Sequence, residues 1–124
     1  MGVSRSAAAL LLSVWLAAWA APAPLPKEVQ TLLDLREACD HYRGQRGFDA
    51  ERQKDIDWSV CQSCPGTDAE LARLKQKYKG NAPVTQALAG LEPRVEPEDK
   101  AAQAKFCQAT RKPAGHLSKK LKLK

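Results

Sequence analysis

Residues 49–70 read DAERQKDIDWSVCQSCPGTDAE, and their periodicity decides the fold class. Ile56, Val60 and Cys64 recur at intervals of four, while Trp58 and Cys61 stand three apart on another side of the same cylinder. That is the period of a helix, not the strict alternation of a strand. Asp49 offers a carboxylate to the free amides of the first turn, and Pro65-Gly66 stops the run. A helix apolar on two sides is expected to lie centrally between neighbours. Directly after the stop, Thr67-Asp68-Ala69-Glu70 has capping-box spacing, in which hydroxyl and carboxylate satisfy each other's backbone amides. A further helix is therefore predicted from Thr67, with Leu71, Leu74 and Tyr78 as its core stripe and Gly80 at its close.

Outward from this stretch the pattern stays helical. Upstream, Lys27 to Arg43 is predicted as one helix, with Leu32, Leu35, Cys39 and Tyr42 on a stripe, Val29 on the same side and Gly44 as the stop. Downstream, Asn81 caps a short helix through Val84, Ala87, Leu88 and Leu91, with Pro83 in its first turn. A fifth helix is expected from Pro97 to Arg111, with Glu98 and Asp99 near its positive end. Its inward residues are expected to be Ala102, Phe106 and Ala109, with Cys107 beside them. The expected fold is all-α, a small disulfide-stapled bundle of four or five short helices with a basic C-terminal tail.

The first residues bear on compartment. Arg5 precedes an apolar run from Ala7 to Ala18, and Ala18-Trp19-Ala20 supplies small residues at the positions a signal peptidase reads. The run is shorter than the ~20 residues a membrane-spanning helix needs, and Pro22 and Pro24 end it. The expected domain plan is a cleaved signal peptide at 1–20, a Pro/Ala-rich lead-in at 21–26, a helical domain at 27–111 and a basic flexible tail at 112–124. The expected location is secreted or periplasmic, with no transmembrane segment in the mature chain. A chain of 124 residues that is 44% hydrophobic and 27% charged excludes a collagen, a coiled-coil rod and a multi-span membrane protein.

Export changes how the cysteines are read. Cys39, Cys61, Cys64 and Cys107 form an even set, and an oxidising compartment favours two disulfides over free thiols or thiolate-bound metal. Four cysteines allow three connectivities. Bonds from Cys61 and Cys64 to the two distant cysteines are favoured over Cys61–Cys64 with Cys39–Cys107, because the longer loops restrict the unfolded chain more. Cys61-Gln62-Ser63-Cys64 also has the spacing of a thiol–disulfide exchange centre. However, it sits near a helix C-terminus, where the dipole opposes thiolate formation, and no βαβ pattern surrounds it. Haem attachment would need histidine where Pro65 stands. Zinc held by the cysteines, with His41 or His116 as a substitute ligand, is a third reading.

Other chemistry has little local support. His41 follows Glu37 by four residues, the spacing of an ion pair across one turn. Ser59, Ser63 and Ser118 sit in no nucleophile elbow. Glu51, Asp55 and Asp57 read as a solvated helix face, and no glycine-rich phosphate loop occurs. No catalytic residue, metal ligand or cofactor is assigned.

Charge is the remaining signal. Residues 105–124 hold seven Lys/Arg and no acid, whereas residues 21–104 carry twelve Lys/Arg against fourteen Asp/Glu, a net of −2. Lys119, Lys120, Lys122 and Lys124, interleaved with Leu117, Leu121 and Leu123, are the expected contacts to an anionic surface or protein partner. Nucleic acid is a poor fit, since no aromatics or arginines interleave these lysines. The functional expectation is a small exported helical protein with a binding or interaction role rather than an enzymatic one. A thiol–disulfide oxidoreductase using Cys61 and Cys64, and a metal-binding module, are the alternatives.

Overall fold

A computed structural model describes Gly2 and residues 23–110, among which every regular element is a helix. The expected signal segment and the basic tail fall outside these residues. The helices are α1 (Lys27–Arg43), α2 (Ala50–Ser63), α3 (Thr67–Lys77), α4 (Ala82–Ala89) and α5 (Lys100–Ala109). Helix α1 packs against both α2 and α3, α3 against α4, and α5 against α2. No described helix is long and apolar enough to cross a membrane.

Two starts follow their sequence signals. The Asp49 carboxylate accepts from the Arg52 amide at 2.7 Å, and the Asn81 side chain accepts from the Val84 amide at 3.2 Å. Gly80 leaves α3 at φ +88°, a left-handed turn that glycine makes without steric cost.

The start of α3 departs from the capping box. Gly66, at φ +83°, is its N-cap and Thr67 already belongs to the helix. The Thr67 hydroxyl donates backward to the Cys64 carbonyl at 2.7 Å, and the Glu70 carboxylate is taken by Arg73. The cap comes instead from a distant residue: Glu96 Oε1 accepts from the Asp68 amide at 2.9 Å.

On α1 the buried stripe is Val29, Leu32, Arg36 and Cys39: three of the four were expected there, and Arg36 takes the place of Leu35. The spacing of three, four and three is the same, but Leu35 is 36% exposed and Tyr42 only partly buried. Arginine takes the inward place because polar partners wait for it there.

Helix α5 is shorter than expected and buries none of its residues. It starts at Lys100, where Asp99 accepts from the Ala102 amide at 2.9 Å. The chain just before it is held in an irregular conformation, with the amides of Val95 and Glu96 donating to Asp68. Ala102 and Ala109 are exposed and Phe106 is 47% exposed, so the expected inward face does not form. Gln103, Cys107 and Thr110 are the partly covered positions.

The apolar core is accordingly small. Val29 and Leu32 of α1, Leu71 and Leu74 of α3, and Val84 and Leu88 of α4 form it, with Leu25, Leu33, Tyr78 and Leu91 packed around. Leu25, in the Pro/Ala-rich lead-in, thus contributes to packing. Helices α2 and α5 lie outside this cluster, so the cross-links that reach them carry weight.

Candidate functional site

Two disulfides join the helices: Cys39 to Cys64, with Cα atoms 4.9 Å apart, and Cys61 to Cys107, at 5.4 Å. Each member of the Cys61/Cys64 couple is bonded to a distant cysteine. The closed loops have separations of 25 and 46 residues. On the chain-entropy model such loops correspond to about 3.5 and 4 kcal/mol of stabilisation. All four sulfurs are occupied, so they form neither a vicinal dithiol nor a thiolate metal set. Among the described residues no group of three or more His, Cys, Asp or Glu side chains is placed to hold a metal ion.

Beside the Cys39–Cys64 bond sits the most elaborate polar arrangement in the domain. Arg36 is 1% exposed, and each guanidinium nitrogen has a different acceptor. Nε donates to Thr67 Oγ1 at 2.8 Å, Nη1 to the Glu92 carbonyl at 2.6 Å and Nη2 to Asp68 Oδ1 at 2.6 Å. Asp68 in turn accepts from the amides of Val95 at 2.9 Å and Glu96 at 3.1 Å. Arginine suits this position because its planar fork serves several acceptors at once. Burial pushes the Glu96 carboxyl up, but bonds from the Asp68 and Gly66 amides and from Lys100 bring it below the ordinary carboxylate range. The node therefore fixes α1, the start of α3 and the 92–96 connection relative to one another. No sequence motif marks Arg36 for this position.

The connection anchored in this way forms one wall of a cleft of about 320 Å³ between α2 and α5. Val60, Pro65, Val95, Pro97 and Phe106 supply apolar surface, both disulfides border it, and Arg43 stands at its margin. Arg43 is held there by Asp40 at 2.9 Å and by the Glu92 carboxylate. The last described residue, Thr110, lies against Cys61 beside this cleft. Lys119, Lys120, Lys122 and Lys124, together with His116 and Ser118, fall outside the described residues.

A second exposed feature lies on the α1–α2 connection. Phe48 is 90% exposed. Its backbone is nevertheless held: the Gly47 amide donates to Gln53 Oε1 at 2.9 Å, and Asp49 caps α2.

The other sequence candidates are occupied in local bonds. His41 Nε2 lies 2.8 Å from Gln45 Nε2 and edge-on to Tyr42, so the expected Glu37 partnership is replaced by a neighbour on the other side. Ser59 and Ser63 donate to the carbonyls four residues before them. Asp57 accepts from Gln53 at 2.8 Å.

At the opposite end of α1, Glu28 gathers Lys77, Tyr78 and Arg73. The Lys77 ammonium, the Tyr78 hydroxyl and the Arg73 guanidinium lower its carboxyl to about 2. The same bond raises Tyr78 above the ordinary phenol value. This cluster ties the start of α1 to the end of α3 along a shallow cleft of about 670 Å³ that also exposes part of Leu35.

Comparison with protein-family models, with curated proteins and with solved structures found no match for this chain.

Proposed function

We propose that this chain is a small exported binding protein that engages an anionic surface through its C-terminal tail. The helical domain acts as a cross-linked carrier for that tail. The observation that carries the reading is the separation of charge: seven Lys/Arg and no acid over residues 105–124, against a net of −2 over residues 21–104. Near an anionic surface each lysine contributes about 1 kcal/mol, and salt weakens the effect. Leu117 and Leu121, four apart, would share one side of a helix formed on contact, adding apolar burial to the attraction.

Two disulfides in a chain of this size fit an oxidising compartment. A role for Cys61 and Cys64 as an exchange pair has no support from the geometry, because each sulfur is bonded elsewhere. The test compares the full chain with one ending at His116, using anionic and zwitterionic vesicles at low and high salt. Salt-sensitive binding of the full chain to anionic vesicles alone, lost on truncation, is expected. Equal binding by both chains would remove the tail from the explanation.

A further inference from the structure

The two disulfides are not equivalent. Cys39 is 0% and Cys64 4% exposed, whereas Cys61 and Cys107 are both partly open to solvent. The helix that Cys107 belongs to is also weakly held. Helix α5 has no buried residue. Its side-chain hydrogen bonds to the rest of the domain, as far as they are resolved, are Lys100 to Glu96 at 3.0 Å and Thr110 Oγ1 to Cys61 Sγ at 3.5 Å. Lys100 is 58% exposed, so its ion pair is a weak tether. The covalent bond therefore holds α5 in place, and burial protects the other disulfide but not this one.

From this asymmetry we propose that Cys61–Cys107 is a thiol-exchange site that small thiols of the glutathione class, or a dithiol reductant, open selectively. It would act as a latch releasing α5 from α2. A thiolate attacks Cys107 Sγ, the S–S bond breaks, and its electron pair leaves on Cys61 Sγ, which then takes a proton from water. A second thiolate attacks the mixed disulfide at the reductant's sulfur, releasing Cys107 as a thiol. Overall two reductant thiols become one disulfide, and one protein disulfide becomes two thiols. Both sulfurs lie in the last turns of their helices, where the dipole does not favour a thiolate. The nearby Thr110 hydroxyl has one proton to give and lies 3.1 Å from the Cys107 carbonyl and 3.5 Å from Cys61 Sγ, so it gives the departing sulfur little help. Departure of α5 would uncover the faces of Val60, Pro65 and Val95 that Phe106 now borders, turning a narrow cleft into an open apolar surface.

The experiment uses the full oxidised chain, exposed to graded reduced glutathione or dithiothreitol, then alkylated and mapped by mass spectrometry. Cys61 and Cys107 are expected to be labelled together at a reductant concentration about tenfold or more below that needed for Cys39 and Cys64. At that intermediate point, amide exchange should rise across residues 100–109 and stay unchanged across residues 71–88. Binding of an apolar dye should rise in step. Simultaneous reduction of both disulfides would overturn the proposal, as would selective reduction that leaves α5 as protected as before. A Cys61→Ser/Cys107→Ser chain is the control: it should show the exposed α5 with no reductant, and an α5 that stays protected in it likewise rules the latch out.

Discussion

Arg36 and Asp68 meet at 2.6 Å with the guanidinium 1% and the carboxylate 16% exposed, and through them α1 is fixed to the start of α3 and to the 92–96 connection. A buried pair of this kind is costly to assemble and far more costly to break on one side, because the surviving charge loses its partner. Replacing Arg36 with methionine keeps the volume and leaves the Asp68 carboxylate and the Glu92 carbonyl short of donors. The expected loss is about 3–5 kcal/mol in urea unfolding. Arg36→Lys should recover only part of it, since one ammonium cannot reproduce the flat fork. If Arg36→Met is as stable as the parent, the node is dispensable.

Glu28 sets a pH dependence. Its folded carboxyl is lowered to about 2, with the Lys77 bond first among the causes, so its contribution is complete above the unfolded carboxylate value and is lost as pH falls toward 2. Glu28→Gln should flatten the fall of the urea midpoint across that acidic window. Because the cluster is at the surface, added salt should shrink the difference between the two chains. An unchanged acid limb in Glu28→Gln would show that the cluster contributes nothing.

Gly47 marks a close approach. A Cβ there would fall on the backbone nitrogen of Gln53 and 2.8 Å from its Cα, neither of which can move without displacing the first turns of α2. Gly47→Ala is expected to cost about 1–3 kcal/mol, as overpacking does, although the residue lies on a connection. Gly90→Ala, with open space around the new methyl, is the matched control and should be neutral within about 0.5 kcal/mol. Thermal unfolding of the two variants distinguishes them.

Removing the buried disulfide should hurt more than removing the open one. Cys39→Ala/Cys64→Ala leaves an unfilled space among buried groups in addition to a freed loop, for a loss of about 3–5 kcal/mol. The corresponding Cys61/Cys107 change should leave the α1–α3–α4 core intact by near-ultraviolet and amide-exchange measurements, even though its loop is the longer. Equal loss of core protection in both would mean that α5 is integral to the core.

Much of this architecture was legible locally. Asp49 and Asn81 each sit one residue before an apolar period, and each makes the cap its chemistry suggests. Leu71 and Leu74, or Val84 and Leu88, lie on faces with little competition from polar neighbours, so periodicity sufficed. What escaped is non-local. Thr67 and Glu70 have the spacing of a reciprocal cap, yet Arg36, 31 residues away, takes the hydroxyl and Glu96 takes the amide. Arg36 carries no mark of burial in one dimension, because its acceptors come from two distant segments, the start of α3 and Glu92. Phe106 shares a helical face with Ala102 and Ala109, which predicts an inward position, but the small core is already filled by α1, α3 and α4. Among the candidate site residues, the cysteine set was visible as a set of four, and preference for long loops pointed to bonds from Cys61 and Cys64 to the distant cysteines without deciding which of the two pairs with which. The cleft was not visible, since its walls are assembled by a carboxylate holding two amides.

The Cys61–Cys107 connectivity also imposes an order of assembly. Were the chain exported N-terminus first during its synthesis, as the proposed function implies, it would present Cys39, Cys61 and Cys64 together before Cys107 reached that side. At ordinary synthesis rates of about 5–20 residues per second, the interval between Cys64 and Cys107 lasts a few seconds. During it, three thiols compete for one native bond, and the neighbour of Cys61 one helical turn away is the wrong partner. Correct oxidation thus depends on the segment made last, and a nascent chain stalled before residue 107 would carry one cysteine too many.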